Sequence, residues 1–315
     1  MICGAAIKRG GLVAFVDVEN ALDPLWAAKF GLDYDSDDRR FFLIQPDCAE
    51  DALNAVANMV EMKHPVERNR SAFDIIVVDS VAALTTRNQL KGEIGDKTVA
   101  ARAQVLAQFF DRTKAVLHDS TTALLLLNQE RALFDQSWGY GPKVHMPGGF
   151  APRFYSSIIA RTKSQVPPLI NKETGEIIAR TFHLRTTKNK VSQPEREAEV
   201  RVFVDYMSGI DINLELAQVG KDLGVFTDAE GNRITGNKKW YWNGTPIGVG
   251  EAKVVEALDD SPEMATLVER DVRAAIAQVN GGGTVPPLDE DTEALTLGAQ
   301  QVAMELFAHL DEEAA

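Results

Sequence analysis

The sequence is short of cysteine, of long apolar runs and of positive charge. Only Cys3 and Cys48 occur among 315 residues, too few for a disulfide framework or a multi-cysteine zinc site, so a reducing compartment is expected. No run of 18 or more apolar residues is present, which excludes a simple membrane-spanning helix. The first residues also lack the basic, apolar and cleavage regions of a secretory leader. A soluble, cytoplasmic protein without a membrane partner is expected.

Lys and Arg number 33 against 46 Asp and Glu, a formal net charge of −13. Nucleic-acid-binding domains usually look basic, but here the acid is unevenly placed. Leu288–Ala315 carries eight carboxylates and no Lys or Arg, and without that tail the net charge is −5. Local basic surfaces remain possible, and charge does not decide the partner.

What the chain does contain is alternation. Leu12–Val16, Phe41–Ile44, Ile75–Asp79 and Leu124–Leu127 read as buried strands, two of them ending in acids at Asp17/Glu19 and Asp79. Helical patterns separate them: a short helix opened by Asp23-Pro24, one after the Asp47–Glu50 capping-box spacing, and one from about Thr98 to His118. Strands alternating with helices predict a doubly wound, mostly parallel α/β sheet. The segments 156–166, 177–187 and 198–204 read as antiparallel strands extending that sheet. From Asp211 come short helices and a hairpin around Trp240-Tyr241-Trp242. The expected organisation is a core over 1–210, a small C-terminal α/β domain over 211–280, and a Gly/Pro linker with an acidic tail over 281–315.

Parallel sheets bind ligands beyond the carboxyl ends of their strands. Asp79 is therefore a candidate Mg²⁺ ligand beside a triphosphate, the alternative being an acid that caps the next turn. Residues 130–149 form a long connection holding Arg131, Trp138, Tyr140, Lys143, Gly148 and Gly149. Its cations, rings and glycines suit single-stranded DNA, the alternative being a flexible polar loop.

The order of these pieces resembles the RecA family of homologous-recombination ATPases, over roughly residues 4–280. Ala14–Pro24 (AFVDVENALDP) resembles the family's catalytic-glutamate segment, and Ile75–Leu84 (IIVVDSVAAL) its Walker B strand. Gly92-Glu93-Ile94-Gly95-Asp96 resembles its first DNA loop, and Leu127–Arg131 (LNQER) its sensor strand. Gly148–Tyr155 (GGFAPRFY) matches the end of the second DNA loop, and Lys188-Asn189-Lys190 a lysine pair beyond it.

The resemblance implies roles. Glu19 would activate water, and Gln129 would sense the terminal phosphate. Lys188 and Lys190 would reach the triphosphate of a neighbouring subunit. Asp23 would bond adenine, and Trp26, where the family commonly has Tyr, would lie against the base. Asp79 would hold Mg²⁺, with Ser80 supporting it. Lys97, Arg102, Arg131, Trp138, Lys143, Gly148, Gly149 and Arg153 would contact DNA, and Phe154 a neighbouring subunit. For Trp26 and Phe154 ordinary packing is the competing explanation, and for the two lysines plain exposure. The partners so implied are ATP, Mg²⁺, single-stranded and double-stranded DNA, and further copies in a helical filament.

The largest departure from the family is an absent motif. No G-x-x-x-x-G-K-S/T occurs in the sequence, and without it there is no nest of N–H groups and no lysine for the β- and γ-phosphates. The family's N-terminal polymerisation helix has no counterpart either. The polypeptide as given is expected not to turn over ATP appreciably. Either an upstream segment is missing or this is a non-hydrolysing DNA-binding or filament-modulating relative; the intact Glu19, Asp79 and Gln129 favour the former.

Overall fold

The computed structural model describes residues 2–33, 40–64, 70–93, 100–132, 144–163, 167–171, 174–204 and 209–279. Helix α1 (Ile2–Lys8) turns into β1 (Val13–Asp17), which is followed by α2 (Pro24–Lys29), β2 (Phe41–Ile44) and α3 (Ala49–Glu61). Strand β3 (Ile75–Asp79), helices α4 (Arg87–Lys91) and α5 (Ala101–His118), and β4 (Ala123–Leu126) complete this half. The four strands are parallel in the order β2-β1-β3-β4.

The apolar run of β3 shows why the sheet is doubly covered. Ile76 and Val78 enter one core with Leu53, Val56 and Val60 of α3 and Leu106 and Phe110 of α5. Ile75 and Val77 enter the opposite core with Cys3 of α1 and Ala27 of α2. Each fully buried aliphatic side chain contributes about 1.5–3 kcal/mol, so a strand apolar at every position is held from both sides.

Helix α3 starts one residue later than the capping-box spacing predicts. Cys48 is its N-cap and makes no side-chain cap bond; instead its thiol donates to Asp51 Oδ2 at 2.9 Å. A capping box does occur at α4, where Thr86 and Gln89 satisfy each other's backbone.

Beyond β4, strands β5 (Arg131–Ala132) and β6 (Val144–His145) pair antiparallel, and α6 (Ala151–Tyr155) follows. Then come β7 (Ile158–Lys163), β8 (Leu169–Ile170), β9 (Ile177–Asn189) and β10 (Glu197–Phe203). The sequence pattern predicts that these strands extend the parallel sheet. Among the described residues they form their own sheet instead, ordered β10-β9-β7 with β8 on β9. Strand β7 is exposed along nearly its whole length and offers no apolar pair of faces of the kind that a central strand needs.

The last part holds α7 (Ile212–Leu223), β11 (Phe226–Thr227), β12 (Lys239–Trp242), β13 (Thr245–Val249), α8 (Glu251–Asp260) and α9 (Pro262–Val279). Asp211 caps α7 through Leu214 N at 3.0 Å, and Phe226, Trp240, Leu258 and Leu267 form a separate core. The chain divides into two compact units. One comprises the described residues up to Arg161 with Arg185–Arg196, and the other Thr162–Leu184 with those from Glu197 onward. No helix among the described residues is long and apolar enough to cross a membrane.

Candidate functional site

Parallel pairing sets Asp17 of β1 opposite Asp79 of β3. The backbone bond from Val18 N to Asp79 O, 2.7 Å, carries that pairing one residue past the strand. Glu19 then leaves the sheet edge, and the Ser80 hydroxyl donates to its carboxylate. Ser80 itself is buried, whereas Glu19 is exposed.

Asp17, which the sequence marks only as an acid at a strand end, has a structural role at the site. It is 1% exposed, and its carboxylate accepts from Ala21 N at 3.2 Å, Leu22 N at 3.1 Å and Gln45 Nε2 at 3.3 Å. Those bonds fold the loop that presents Glu19.

Burial raises the Asp79 carboxyl above the usual carboxylate range, and the nearby Glu19 and Asp17 charges raise it further. Concentrated negative charge of this kind fits a divalent cation. Among the described residues no three acids, cysteines or histidines cluster as a complete metal cage. Mg²⁺ takes one or two protein carboxylates and draws its other oxygens from water and phosphate, and Asp79 is of a kind that would serve as one of them.

Strand β4 brings the next pieces to the same edge. Val81 N donates to Leu127 O at 2.8 Å, and Leu127 N to Val78 O at 3.0 Å. Gln129 follows two residues later and is exposed; its N–H is accepted by Asn128 Oδ1 at 3.0 Å. Among the described residues, its side chain hydrogen-bonds neither Glu19 nor Asp79. Asp23 uses one carboxylate oxygen to cap α2, accepting from Leu25 N at 2.8 Å and Trp26 N at 3.2 Å. Trp26 is half-buried and meets Phe30 edge-on at 5.2 Å.

A basic surface starts where β4 ends. Arg102, in the first turn of α5, donates from Nε to Leu84 O at 2.6 Å. Burial, and then the Arg131 charge, pull its pKa down. Gly148 and Gly149 have φ of +100° and +73°, and they lie against α5. A Cβ on Gly148 would stand 2.8 Å from Leu106 Cδ1, and one on Gly149 2.9 Å from Ala103 Cβ. Lys97, Trp138 and Lys143 lie outside the described residues.

Helix α6 is anchored to α5 by Tyr155, which donates to Asp111 Oδ1 at 2.6 Å and stacks on Phe110 at 5.1 Å. Beside it opens a cleft of about 510 Å³, walled by Phe150, Arg153, Phe154, Arg161 and Lys188 among others. Lys188 Nζ donates to the carbonyls of Arg153 and Phe154 at 2.7 and 2.9 Å. Burial lowers its pKa, and the Lys190 and Arg153 charges lower it further. Lys190 is exposed and held by its backbone N–H to Ser157 O at 2.9 Å. Phe154 is 72% exposed, so it is not a core residue of this chain.

Fold and site together define a doubly wound α/β protein with an acid-lined sheet edge and a cationic surface leading from it. The family model for the RecA N-terminal domain matches residues 1–211. Protein RecA of Aquifex aeolicus (strain VF5) is 34% identical over 276 residues, covering 87% of this chain and 72% of that protein. Protein RecA of Thermus aquaticus is 33% identical over 282 residues, covering 88% and 75%. Protein RecA of Streptococcus parasanguinis is 31% identical over 311 residues, covering 96% and 73%. This chain belongs to the RecA family. A crystal structure of the RadB recombinase aligns at TM-score 0.42 and 16% identity, over 66% of this chain and 82% of its own, too distant a likeness to argue from.

Proposed function

We propose that this chain is a homologous-recombination protein that binds single-stranded DNA together with ATP and Mg²⁺. It assembles into a helical filament with further copies and pairs the bound strand with duplex. Family membership supports the recombination role. The observation that carries the DNA-binding part is a short physical path: Leu127–Arg131 runs in five residues from the acidic sheet edge to the Arg102–Arg131 surface. A segment that touches both can pass the state of one to the other.

In this reading Asp79, supported by Ser80, would hold Mg²⁺, and Glu19 would orient a water and take its proton. Bound ATP would supply the phosphoanhydride whose cleavage resets the filament. Asp23 and Trp26 would meet the adenine, and Gln129 would respond to phosphate through its amide. Lys188 and Lys190 would face the triphosphate held by a neighbouring copy. Arg102, Arg131, Arg153 and the backbone at Gly148-Gly149 would contact DNA phosphates, joined by Lys97, Trp138 and Lys143. The part from residue 211 would contact duplex. Cytoplasmic location belongs to the same reading.

The alternative is a DNA-binding or filament-modulating relative without hydrolysis, and ATP turnover would decide against it. The test of DNA binding is fluorescence anisotropy of a labelled oligo-dT across salt concentration. Binding that weakens steeply with salt is expected; no binding, or binding insensitive to salt, overturns the proposal.

A further inference from the structure

The cleft beside α6 presents Arg153, Arg161 and Lys188, and among the described residues no acidic side chain lines it. Two of these cations are nevertheless engaged. Lys188 is taken by the α6 carbonyls. Arg161, on β7, pairs through Nε with Glu130 Oε1 at 2.6 Å. Glu130 comes from outside the cleft and directly follows Gln129 in the chain. On the other side of Gln129, Asn128 Nδ2 donates to Pro147 O at 2.9 Å, next to Met146 on the cleft wall. The residue pair flanking Gln129 is thus fastened to the cleft at two points.

A half-exposed ion pair by itself contributes little to stability. Its position is what matters here. An acid next to Gln129 occupies a cation of a cleft otherwise ready for anions, so an anion arriving there must compete with it.

We propose that the cleft is a binding site for phosphate groups and that Glu130 is its built-in competitor. A phosphate entering beside Arg153 displaces the Glu130 carboxylate from Arg161, and the released 128–130 segment lets Gln129 change position. Cleft occupancy and the setting of Gln129 are then linked reciprocally. This rests on the proposal that Lys188 faces phosphate, and extends it to Arg161 and to control by Glu130. The phosphate comes either from a triphosphate or from a DNA backbone, and the chemistry of recognition is the same.

The experiment titrates inorganic tripolyphosphate into the full chain by calorimetry, for wild type, Glu130→Gln, Arg161→Gln and the double variant, with thermal melts confirming that each is folded. Expected are binding about two- to five-fold tighter for Glu130→Gln, as suits release of a half-exposed ion pair, weaker binding for Arg161→Gln, and no gain from Glu130→Gln once Arg161 is gone. No binding by any form, equal binding by wild type and Glu130→Gln, or a gain that persists without Arg161 overturns the proposal.

Amide exchange over residues 127–131 should rise when wild type binds tripolyphosphate; unchanged exchange overturns the link to Gln129. A parallel oligo-dT titration separates the sources: a gain there as well assigns the cleft to DNA phosphates, and a gain with tripolyphosphate alone assigns it to a triphosphate. Loss of oligo-dT binding by wild type would sink the recombination reading while leaving the tripolyphosphate result standing. A missing gain with oligo-dT binding intact would sink only the competitor.

Discussion

The Ser80 hydroxyl donates to the Glu19 carboxylate, joining the residue just past β3 to the one that emerges from β1. Two residues 61 apart in sequence, each just past one of two neighbouring strands, thereby present their functional groups as one unit. Since Ser80 is buried and Glu19 exposed, the bond fixes a solvent-facing acid to the rigid part of the sheet.

Replacing Ser80 by Ala removes that bond and leaves Glu19 free to swing into water. The expected cost is about 1 kcal/mol of stability, read as a lower urea midpoint with unchanged slope. An unchanged midpoint would show that Ser80 does not hold Glu19.

Asp79 should make the protein less stable as pH rises. Its folded pKa lies above the ordinary value because of burial and of Glu19 and Asp17. Its favourable contribution is therefore complete below the unfolded carboxyl pKa, about 3.9. It is lost as pH climbs through the raised folded value. At neutral pH Asp79→Asn should raise Tm by roughly 1–3 °C, with the gain vanishing near the unfolded pKa; calorimetry at the two pH values measures it. Millimolar Mg²⁺ should raise the Tm of wild type and leave that of Asp79→Asn unmoved.

Gly148 combines φ +100° with a neighbour 2.8 Å from where a Cβ would stand. Gly148→Ala meets backbone strain and a clash with Leu106 at once, at a cost of about 1–3 kcal/mol. Chemical denaturation measures the loss. Wild-type stability would mean that the segment can lift off α5 without cost.

The parallel half was legible because its strands are short apolar runs ending in acids. Residues 75–79 and 41–44 carry local signals that survive folding. Glu19, Asp79 and Ser80 could be grouped from motif order, and the structure brings them together. The role of Asp17 was not legible, because its work is done on backbone N–H groups four and five residues ahead, which composition does not reveal. That the sheet holding β7 and β9 stands apart from β4 was not legible either, since strand partners depend on long-range contacts. The Glu130–Arg161 pair joins residues far apart in the chain and left no local trace.

In the proposed function, the surface leading from the acidic edge grips a polynucleotide through its phosphates. The direct measurement is the salt dependence of oligo-dT affinity for wild type, Arg102→Ala and Arg131→Ala. Weaker binding is expected for each variant, with a log–log salt slope shallower by roughly one per lost phosphate contact. Slopes and affinities identical to wild type in both variants would contradict it.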